Sequence, residues 1–276
     1  MYVRLVPELP ISKTQLAKLG DRLRDAAEIG PEDRDLLAVV LGAYDEALET
    51  VKEHLRGLGF QPTDRLKTIG TTVDKLRRDR RSSLRTVQDL AGARVVLAGD
   101  LRNQDAAVDA FCERCSGTDL ATAVIDRRID PRAGYRAVHV VVKAGGIPVE
   151  VQFRTEFQNM WAQSFERVAD RWGRQIRYGG DPTDGTPTAD DAGKRRELVA
   201  AMIQVSKIVA VYEEAQASVE VREAIAWLER KRSSTPTTDV ERVSEERHAM
   251  YLAYQASSGP GREGIPTPTC LDVPGC

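Results

Sequence analysis

The stretch that decides the fold is GYRAVHVVVKAGGIPVEVQFRT, residues 134–155, in which two runs rich in β-branched residues flank a Gly-Gly pair. The pair Gly145-Gly146 between two such runs predicts a β-hairpin with a tight turn. Side chains alternate along a strand, so pairing outward from that turn produces one apolar face. Its members are Val138, Val140, Val142, Val149, Val151 and Phe153. A slip of one residue would exchange the two faces, and the register is therefore strongly specified.

The second face of the predicted hairpin is polar and chemically mixed, because it carries a phenol, an imidazole, a carboxylate, an amide and a guanidinium. A solvated sheet surface and the floor of a binding site both fit this pattern. Solvated faces usually carry Lys, Thr, Ser and Glu in no fixed order, whereas here a predicted helix follows that is able to cover the cluster. The polar set consists of Tyr135, His139, Glu150, Gln152 and Arg154.

The segments around the hairpin predict an α/β (α+β) domain with a mixed β-sheet, because helical and strand patterns alternate along the chain. The predicted helices cover residues 11–27, 32–58, 64–81, 101–116, 157–175, 194–231 and 240–256. The predicted strands outside the hairpin cover residues 93–98 and 122–129. Gly- and Pro-rich composition predicts a linker over residues 179–193 and a disordered tail over residues 257–276.

The composition is that of a globular chain, with 276 residues, 41% hydrophobic and 30% charged. No apolar run approaches the roughly 18–20 residues of a membrane helix, and the first residues lack a secretory apolar segment. We therefore expect a cytoplasmic protein without membrane contact. The formal net charge of −2 indicates no general affinity for polyanions, so local charge matters more.

Four cysteines are present, and two of them, Cys112 and Cys115, form a CxxC pair that is half of a zinc-site pattern. The other two, Cys270 and Cys276, lie in the Gly- and Pro-rich tail without a nearby histidine. Structural zinc requires four ligands held together. Reduced thiols without a metal are therefore the expected state of these side chains.

A second functional pattern lies in the predicted basic helix. Lys67, Thr71, Lys75 and Arg78 recur at spacings that share one face of an α-helix. Like charges on one face repel one another, so the arrangement is favourable when a polyanion lies against it. A triphosphate and a nucleic-acid backbone both fit, and a plain solvated face remains an alternative.

Two carboxylates complete the pattern. Asp89 precedes a predicted buried strand, and Glu150 lies in the centre of the hairpin. Two carboxylates on adjacent strands beside a cationic helix suit Mg²⁺, which takes one or two carboxylates together with phosphate oxygens and waters. The combination predicts metal-assisted phosphoryl-type chemistry on a nucleotide.

Four motifs in this order resemble the RelA/SpoT synthetase domain, in its single-domain group of small alarmone synthetases and their toxic relatives. They are R-x-K-x3-T-x3-K-x2-R from Arg65, DLAGAR at residues 89–94, GYRAVH at 134–139, and EVQFRT at 150–155 followed by N-x-W-A. The resemblance covers residues 64–178 and implies a nucleotidyltransferase-like synthetase domain flanked by N- and C-terminal helices. The predicted segments are a helical one over 1–60, the synthetase domain over 61–180, a linker with a C-terminal helix over 181–232, and a short helix with a disordered tail over 233–276.

The resemblance implies transfer of pyrophosphate from ATP to the 3′-OH of GDP or GTP, with Mg²⁺, giving (p)ppGpp and AMP. One alternative is a toxin of the same family that modifies the tRNA 3′-CCA end or makes adenosine alarmones. A second alternative is an inactive nucleotide-binding sensor. The partners it implies are ATP and GDP or GTP, while tRNA, an antitoxin protein and a homo-oligomer stay open.

The resemblance also implies roles for individual residues. Asp89 and Glu150 would be catalytic and would hold Mg²⁺. The ATP would be bound by Arg65, Lys67, Thr71, Lys75, Arg78 and Arg94. The acceptor would be bound by Tyr135, His139, Gln152, Arg154 and Asn159, with Tyr135 stacking on the base. An RNA acceptor would in addition be gripped by Arg77, Arg80, Arg81, Arg85, Arg127, Arg128 and Arg132.

One loop departs from the family pattern. The family often has P-K-x-N-G-Y before the hairpin, whereas residues 131–135 of this chain read PRAGY, with Arg132 for Lys and no Asn. The loop is also one residue shorter. Because it lies on the acceptor side, we expect the choice of acceptor to depend on it.

Overall fold

The structure is a computed structural model that describes residues 8–78, 83–87, 89–182 and 188–234. Backbone contacts divide the chain into two compact units, Met1–Ala210 and Val211–Cys276. The sheet and the candidate site belong to the first unit. The predicted domain boundaries at residues 60, 180 and 232 stay predictions.

A five-stranded mixed sheet forms the centre of the first unit, in the order β1-β2-β5-β4-β3. The strands are β1 (Thr63–Leu66), β2 (Ala91–Leu97), β3 (Ala121–Asp126), β4 (Val138–Ala144) and β5 (Ile147–Thr155). The β2–β5 pair is parallel and the other three pairs are antiparallel. The mixed sheet with flanking helices confirms the predicted fold class.

The central hairpin is formed by β4 and β5 in the predicted register. His139 pairs with Gln152, and Val138 pairs with Phe153. The two turn glycines have φ angles of 57° and 81°, and positive φ at both central residues is what a tight type I′ hairpin turn requires. The apolar face of the hairpin is fully buried, so the alternation of the sequence did determine which side faces the core.

Seven α-helices and one short 3₁₀ helix lie in the described part of the chain. They are α1 (Lys13–Asp25), α2 (Pro31–Arg56), α3 (Ile69–Arg78), α4 (Leu101–Ser116), α5 (Glu156–Trp172), the 3₁₀ helix (Arg174–Tyr178), α6 (Ala189–Ala217) and α7 (Val219–Ser234). Capping boxes begin three of them, with the cap residues Ser12, Asp100 and Thr155. Because Thr155 also ends β5, the chain passes from the hairpin into α5 without a loop. No helix among the described residues is long and apolar enough to cross a membrane.

The main core packs α2 and α4 against the apolar face of the hairpin, and α1 packs on α2 and α3. It contains Leu19, Leu48, Phe111 and Phe153, each with an exposed fraction of 0%. A second, smaller cluster is centred on Trp161 of α5 and also takes in Phe165 and Ile176. Half-buried Tyr135 packs against this second cluster, which therefore forms one wall beside the polar face of the hairpin.

The predicted basic helix over residues 64–81 is wrong in its first part. Residues 63–66 form β1, which pairs antiparallel with β2, and the N–H of Lys67 donates to the carbonyl of Leu90 at 2.8 Å. Helix α3 begins only at Ile69, so Lys67 is not on it. Sheet pairing with a distant segment outweighed the local helical periodicity, and residues 79–82 lie outside the described residues.

Other helix and strand ends differ from the predicted ones because of local backbone features. The helix predicted over 194–231 is two helices that are separated at Ser218, whose hydroxyl accepts a hydrogen bond from the N–H of Val221 at 3.2 Å. Helix α6 begins at residue 189, inside the predicted linker, and α5 ends at Trp172 because Gly173 has a φ of 112°. The strand predicted over 122–129 ends at Asp126. The predicted helix over 240–256 and the predicted tail lie outside the described residues.

Candidate active site

A pocket of about 430 Å³ lies over the polar face of the hairpin, between the start of β2 and α5. This volume is within the range of small-molecule sites. Its charged lining residues are the carboxylates Asp89, Glu150 and Glu166 and the cations Lys75, Arg127, Arg132, Arg154 and Arg177. The excess of cations favours an anionic ligand.

The polar side chains of the hairpin face form a closed ring of hydrogen bonds, here called the polar ring. Nδ1 of His139 lies 2.8 Å from Oε1 of Glu150, and Nε2 of His139 lies 2.8 Å from the hydroxyl of Tyr135. Nη2 of Arg154 donates to that hydroxyl at 3.0 Å and to Oε1 of Gln152 at 2.8 Å. Nε2 of Gln152 donates to Oε2 of Glu150 at 3.0 Å and closes the ring.

Glu150 is held as a carboxylate by this ring. Burial by itself raises the pKa of Glu150, but hydrogen bonds from His139 and Gln152 outweigh it, and the pKa lies below its usual range. The negative charge of Asp89 acts in the opposite direction and raises this pKa. Glu150 is therefore ionised at neutral pH.

Asp89 is the second carboxylate of the pocket, and two lysines contact it. Nζ of Lys67 donates to Oδ2 of Asp89 at 2.5 Å, and Nζ of Lys75 donates to Oδ1. Burial opposes ionisation of Asp89, but the two ammonium groups hold its pKa below the usual range. Burial lowers the pKa of Lys67 to about 8, although the carboxylate of Asp89 raises it. Lys67 and Lys75 therefore meet at Asp89, with Lys67 contributed from the β1–α3 turn, and their role toward ATP stays a prediction.

The residues present fit a magnesium ion. Two ammonium groups lie against the carboxylate of Asp89, so this carboxylate attracts cations, and both lysines would have to turn away to make room for the ion. The carboxylate oxygens of Asp89 and Glu150 are hard donors of the kind that Mg²⁺ takes together with phosphate oxygens and waters. Within the described part of the chain, no group of three or more His, Cys, Asp or Glu residues suits a metal, so phosphate oxygens would have to supply further ligands.

The remaining residues predicted to bind ATP are arranged less closely around the pocket. Arg94 on β2 pairs with Gln152 of β5. Burial raises the pKa of Tyr135 above its usual value, and the positive charge of Arg94 offsets part of that increase. The hydroxyl of Thr71 donates to the carbonyl of Thr68 at 3.1 Å at the start of α3. Arg78 is exposed at the end of α3, while only the backbone of Arg65, in β1, is described. Their roles toward ATP stay predictions.

The predicted base-stacking residue, Tyr135, is held from two sides. The guanidinium carbon of Arg154 lies 5.0 Å from the centroid of the Tyr135 ring, and the ring packs against the Trp161 cluster. Asn159 on α5 has a buried Oδ1 without a hydrogen-bond partner in the described part of the chain. Contact of either residue with an acceptor base stays a prediction.

The loop over residues 131–135 is held by helix α6, which sequence reasoning did not link to the site. The hydroxyl of Ser206 donates to the carbonyl of Gly134, and Nε1 of Trp161 donates to the carbonyl of Met202 at 2.7 Å. Ala133 has a φ of 47°, a region that Asn tolerates better than Ala. Trp161 belongs to the second core cluster and lines the pocket as well.

Gly134→Ala is expected to lower the free energy of unfolding by about 2 kcal/mol. Gly134 has a φ of 85°, and an added Cβ would lie 2.9 Å from the Trp161 ring and 3.2 Å from Cβ of Ser206. The matched control is Gly146→Ala, because Gly146 has a φ of 81° but nothing within 4 Å of an added Cβ. Urea unfolding of both variants separates the cost of backbone strain from the cost of the steric conflict. Equal losses of unfolding free energy in the two variants would contradict the packing of α6 on the loop.

Several arginines predicted to grip RNA are engaged elsewhere. Nη2 of Arg128 lies 2.7 Å from carboxylate oxygens of both Asp105 and Asp126. Arg77 donates to the carbonyl of Ala26 at 2.6 Å. Arg85 is exposed, Arg127 and Arg132 line the pocket, and Arg80 and Arg81 lie outside the described residues.

The CxxC pair lies on α4, away from the pocket lining. Cys115 is buried and Cys112 is partly buried, and both are free thiols. Burial raises the pKa of Cys115 to about 11 and also raises that of Cys112. Both side chains are therefore protonated at neutral pH. Cys270 and Cys276 lie outside the described residues.

Comparisons with known proteins find one matching family model and several similar chains. A family model described as a region found in RelA / SpoT proteins matches residues 64–169. Uncharacterized proteins of Mycobacterium tuberculosis and Mycobacterium bovis are 34% identical over 224 residues, which cover 78% of this chain and 76% of theirs.

Two solved structures are also similar. The small alarmone synthetase 1 from Bacillus subtilis is 20% identical with a TM-score of 0.49, covering 66% of this chain and 94% of that chain. A GTP pyrophosphokinase family protein from Streptococcus pneumoniae is 22% identical with a TM-score of 0.47, covering 68% of this chain and 98% of that chain.

Proposed function

The chain belongs to the RelA/SpoT family of pyrophosphokinases, and from this premise we propose that it transfers the β,γ-pyrophosphate of ATP to the 3′-OH of GDP or GTP. The products are (p)ppGpp and AMP. The observation that carries the proposal is the pair of ionised carboxylates, Asp89 with its two lysines and Glu150 in the polar ring, facing one cationic pocket. This arrangement supports phosphoryl-type transfer between two nucleotides.

In the proposed step, the pyrophosphoryl group passes from the AMP oxygen of ATP to the 3′ oxygen of the acceptor. The 3′ oxygen of the acceptor forms a bond to the β-phosphorus of ATP, and the bond from that phosphorus to the AMP oxygen breaks. Glu150 orients the 3′-OH and takes its proton, while Lys67 and Lys75 turn from Asp89 to the phosphate oxygens. A magnesium ion held by Asp89 and Glu150 would neutralise charge on the transferred group.

The acceptor is proposed to occupy the side of the pocket near the loop over residues 131–135. Arg127 and Arg132 line this side and supply positive charge for the 5′-phosphates of the acceptor. We propose that the Tyr135 ring contacts the acceptor base, as the family resemblance implies. Because this loop departs from the family pattern, the identity of the acceptor is the first property to measure.

The deciding experiment offers γ-labelled ATP and Mg²⁺ with GDP, GTP, ATP or tRNA in separate reactions. Label in guanosine tetra- or pentaphosphate is the expected result. Label in tRNA alone, or in an adenosine product alone, would assign the chain to the alternative acceptors. Nucleotide binding without any transfer would indicate a sensor and overturn the proposal.

Tyr135→Ala is expected to raise KM for the acceptor at least about tenfold, since one base-stacking contact is worth about 1–3 kcal/mol. KM for ATP should change much less, because the ATP side is formed by the lysines around Asp89. Steady-state kinetics with each nucleotide varied in turn measures both values. Tyr212→Ala, in an exposed tyrosine of α6, is the control. A larger effect on ATP than on the acceptor would reverse the assignment of the two sides.

A further inference from the structure

The turn over residues 132–135, here called the entry turn, leads into the hairpin and contacts helix α6. We infer that Ser206 of α6 is the positioning residue that fixes the shape of the entry turn beside the pocket. The contacts of the turn carry this inference. Its consequence for the acceptor rests on the proposed function, which places the acceptor on this side of the pocket.

The entry turn is a tight turn with two central residues. Arg132 and Tyr135 form an isolated antiparallel bridge, and the N–H of Tyr135 donates to the carbonyl of Arg132 at 2.9 Å. Between them, Ala133 and Gly134 have φ angles of 47° and 85°. Positive φ at both central residues is what a type I′ turn requires.

The sequence of the entry turn favours this shape only at one of its two central residues. Glycine adopts a positive φ readily, whereas the Cβ of an alanine disfavours it. Ala133 is the only residue other than glycine with a positive φ in the described part of the chain. Type I′ turns prefer Asn, Asp or Gly at this position. A disfavoured backbone conformation persists when the surrounding structure determines it, so the shape of the entry turn depends on its contacts.

One face of α6 supplies those contacts. Ser206 has an exposed fraction of 2%, and its hydroxyl donates to the carbonyl of Gly134. One helical turn earlier on the same face, the carbonyl of Met202 accepts from Nε1 of Trp161 at 2.7 Å. A serine inside a helix can donate to the carbonyl four residues before it, but this hydroxyl donates to another segment of the chain.

Gly134 is enclosed between the two residues that make these hydrogen bonds. A Cβ added at Gly134 would lie 2.9 Å from the ring of Trp161 and 3.2 Å from Cβ of Ser206. Ala133 and Met202 both pack against the Trp161 cluster. The entry turn therefore has no room to move toward α6, and the hydrogen bond from Ser206 opposes movement away from it.

The two ends of the entry turn carry side chains that line the pocket, namely Arg132 and Tyr135. Among the described residues, none of α6 lines the pocket, so Ser206 acts on it through the turn. A change in the shape of the entry turn would displace the guanidinium and the phenol ring together. We therefore expect Ser206 to affect the acceptor side of the pocket and to leave the ATP side around Asp89 unchanged.

Amide hydrogen exchange, followed by NMR without nucleotide, tests the attachment directly. Ser206→Ala should speed exchange of the Tyr135 N–H about tenfold, because one hydrogen bond that holds the entry turn is lost. The N–H of Gly59, which donates to the carbonyl of Arg56 at 2.9 Å in a distant turn, should exchange at an unchanged rate. An unchanged rate for Tyr135 would overturn the inference, and so would equal acceleration at Tyr135 and Gly59.

Ser116→Ala is the matched control for this substitution. Ser116 is an exposed serine at the end of α4 whose hydroxyl donates to the carbonyl of Glu113 at 2.7 Å, and it does not line the pocket. This variant loses a helix hydroxyl without touching the entry turn. Exchange at Tyr135 and both KM values should equal those of the wild type, and acceleration at Tyr135 equal to that of Ser206→Ala would count against a specific role of Ser206.

Steady-state kinetics tests the consequence for the acceptor. Ser206→Ala should raise KM for the acceptor about tenfold, since apparent affinity falls with the fraction of molecules in which the entry turn is in place. KM for ATP should stay within about twofold, because other segments form the proposed ATP side. Equal increases in both KM values would show a general effect on the fold and contradict positioning through the turn.

A second substitution inside the entry turn tests whether Ser206 acts through it. Ala133→Asn introduces a residue that favours the type I′ shape, so the turn should depend less on α6. In that background, Ser206→Ala should raise KM for the acceptor only about twofold, a coupling that contacting residues show and independent ones do not. The same tenfold increase in both backgrounds would overturn the inference. Ala133→Gly, which adds no atom, replaces Ala133→Asn if the latter does not fold.

Failure of this inference can be told from failure of the proposed function. Hydrogen exchange requires neither nucleotide nor turnover, so a protein without transferase activity still reports whether Ser206 holds the entry turn. Conversely, transfer to GDP or GTP with unchanged exchange at Tyr135 in Ser206→Ala would support the proposed function and refute the positioning role.

Discussion

Glu150→Gln is expected to lower kcat for pyrophosphate transfer by about 10³-fold, within the range of about 10²–10⁴ that proton transfer by a positioned side chain contributes. Glu150 accepts hydrogen bonds from both His139 and Gln152 of the polar ring, and it is ionised despite burial. The amide keeps the shape of the side chain but loses the charge that orients the 3′-OH and accepts its proton.

The same substitution has a predictable structural cost. His139 and Gln152 both donate to Glu150, so the NH₂ of a glutamine would face one donor. One unsatisfied buried contact costs about 1–3 kcal/mol, which the fold should survive. Circular dichroism and ATP binding should therefore stay close to those of the wild type while turnover is lost.

Glu156→Gln is the matched control for this experiment. Glu156 is exposed at the start of α5, six residues after Glu150, and it does not line the pocket. Its substitution changes the net charge by the same amount and should leave kcat within about twofold. Turnover by Glu150→Gln within tenfold of the wild type would remove Glu150 from the proposed mechanism.

The hairpin shows how far the sequence alone determined this site. Its register followed from two physical rules, the alternation of side chains along a strand and the φ angles that Gly145 and Gly146 allow. Those rules selected the five members of the polar ring but not the order of their contacts. That order depends on side-chain lengths and rotamers, for which sequence periodicity has no signal.

For the two lysines around Asp89, the sequence indicated the residues but not the local structure that carries them. Lys67 and Lys75 were grouped on one helix face, yet Lys67 precedes α3 and reaches Asp89 from a turn. Their spacing matches a family motif and both side chains contact Asp89, while the helical reason for the spacing was wrong for Lys67. Pairing of β1 with β2 is a long-range contact that local periodicity does not encode.

The contacts made by α6 could not be predicted from the sequence. Ser206 and Gly134 are separated by 72 positions, and neither residue type carries a signal for a partner. Arg128 was grouped with arginines that could grip RNA, whereas two aspartates from different elements neutralise it. In both cases the deciding information is three-dimensional proximity.

Asp89→Asn is expected to lower kcat by about 10²–10³-fold and to weaken ATP binding as well. Asp89 is the shared partner of Lys67 and Lys75, so its neutralisation leaves two ammonium groups close together without a counter-charge. It also removes a carboxylate proposed to hold Mg²⁺. Both effects act on the phosphates of ATP, whereas Glu150→Gln acts on the acceptor hydroxyl.

The sign of the effect on Lys67 follows from its surroundings. Burial already lowers the pKa of Lys67 to about 8, and the hydrogen bond and charge of Asp89 raise it. Without Asp89, the pKa of Lys67 falls further, and a larger fraction of this side chain is neutral at physiological pH. ATP binding by Asp89→Asn should therefore improve as the pH is lowered from 8 to 6, more than wild-type binding does.

Titration calorimetry with a non-hydrolysable ATP analogue, with and without Mg²⁺, measures this loss apart from turnover. Asp74→Asn is the control, because Asp74 is an exposed carboxylate on α3 next to Lys75 in the sequence. The control should bind the analogue as the wild type does. If Asp89→Asn binds it equally well and gains as much from Mg²⁺, then Asp89 neither holds the metal nor sets the charge of Lys67, and the proposed ATP side must lie elsewhere in the pocket.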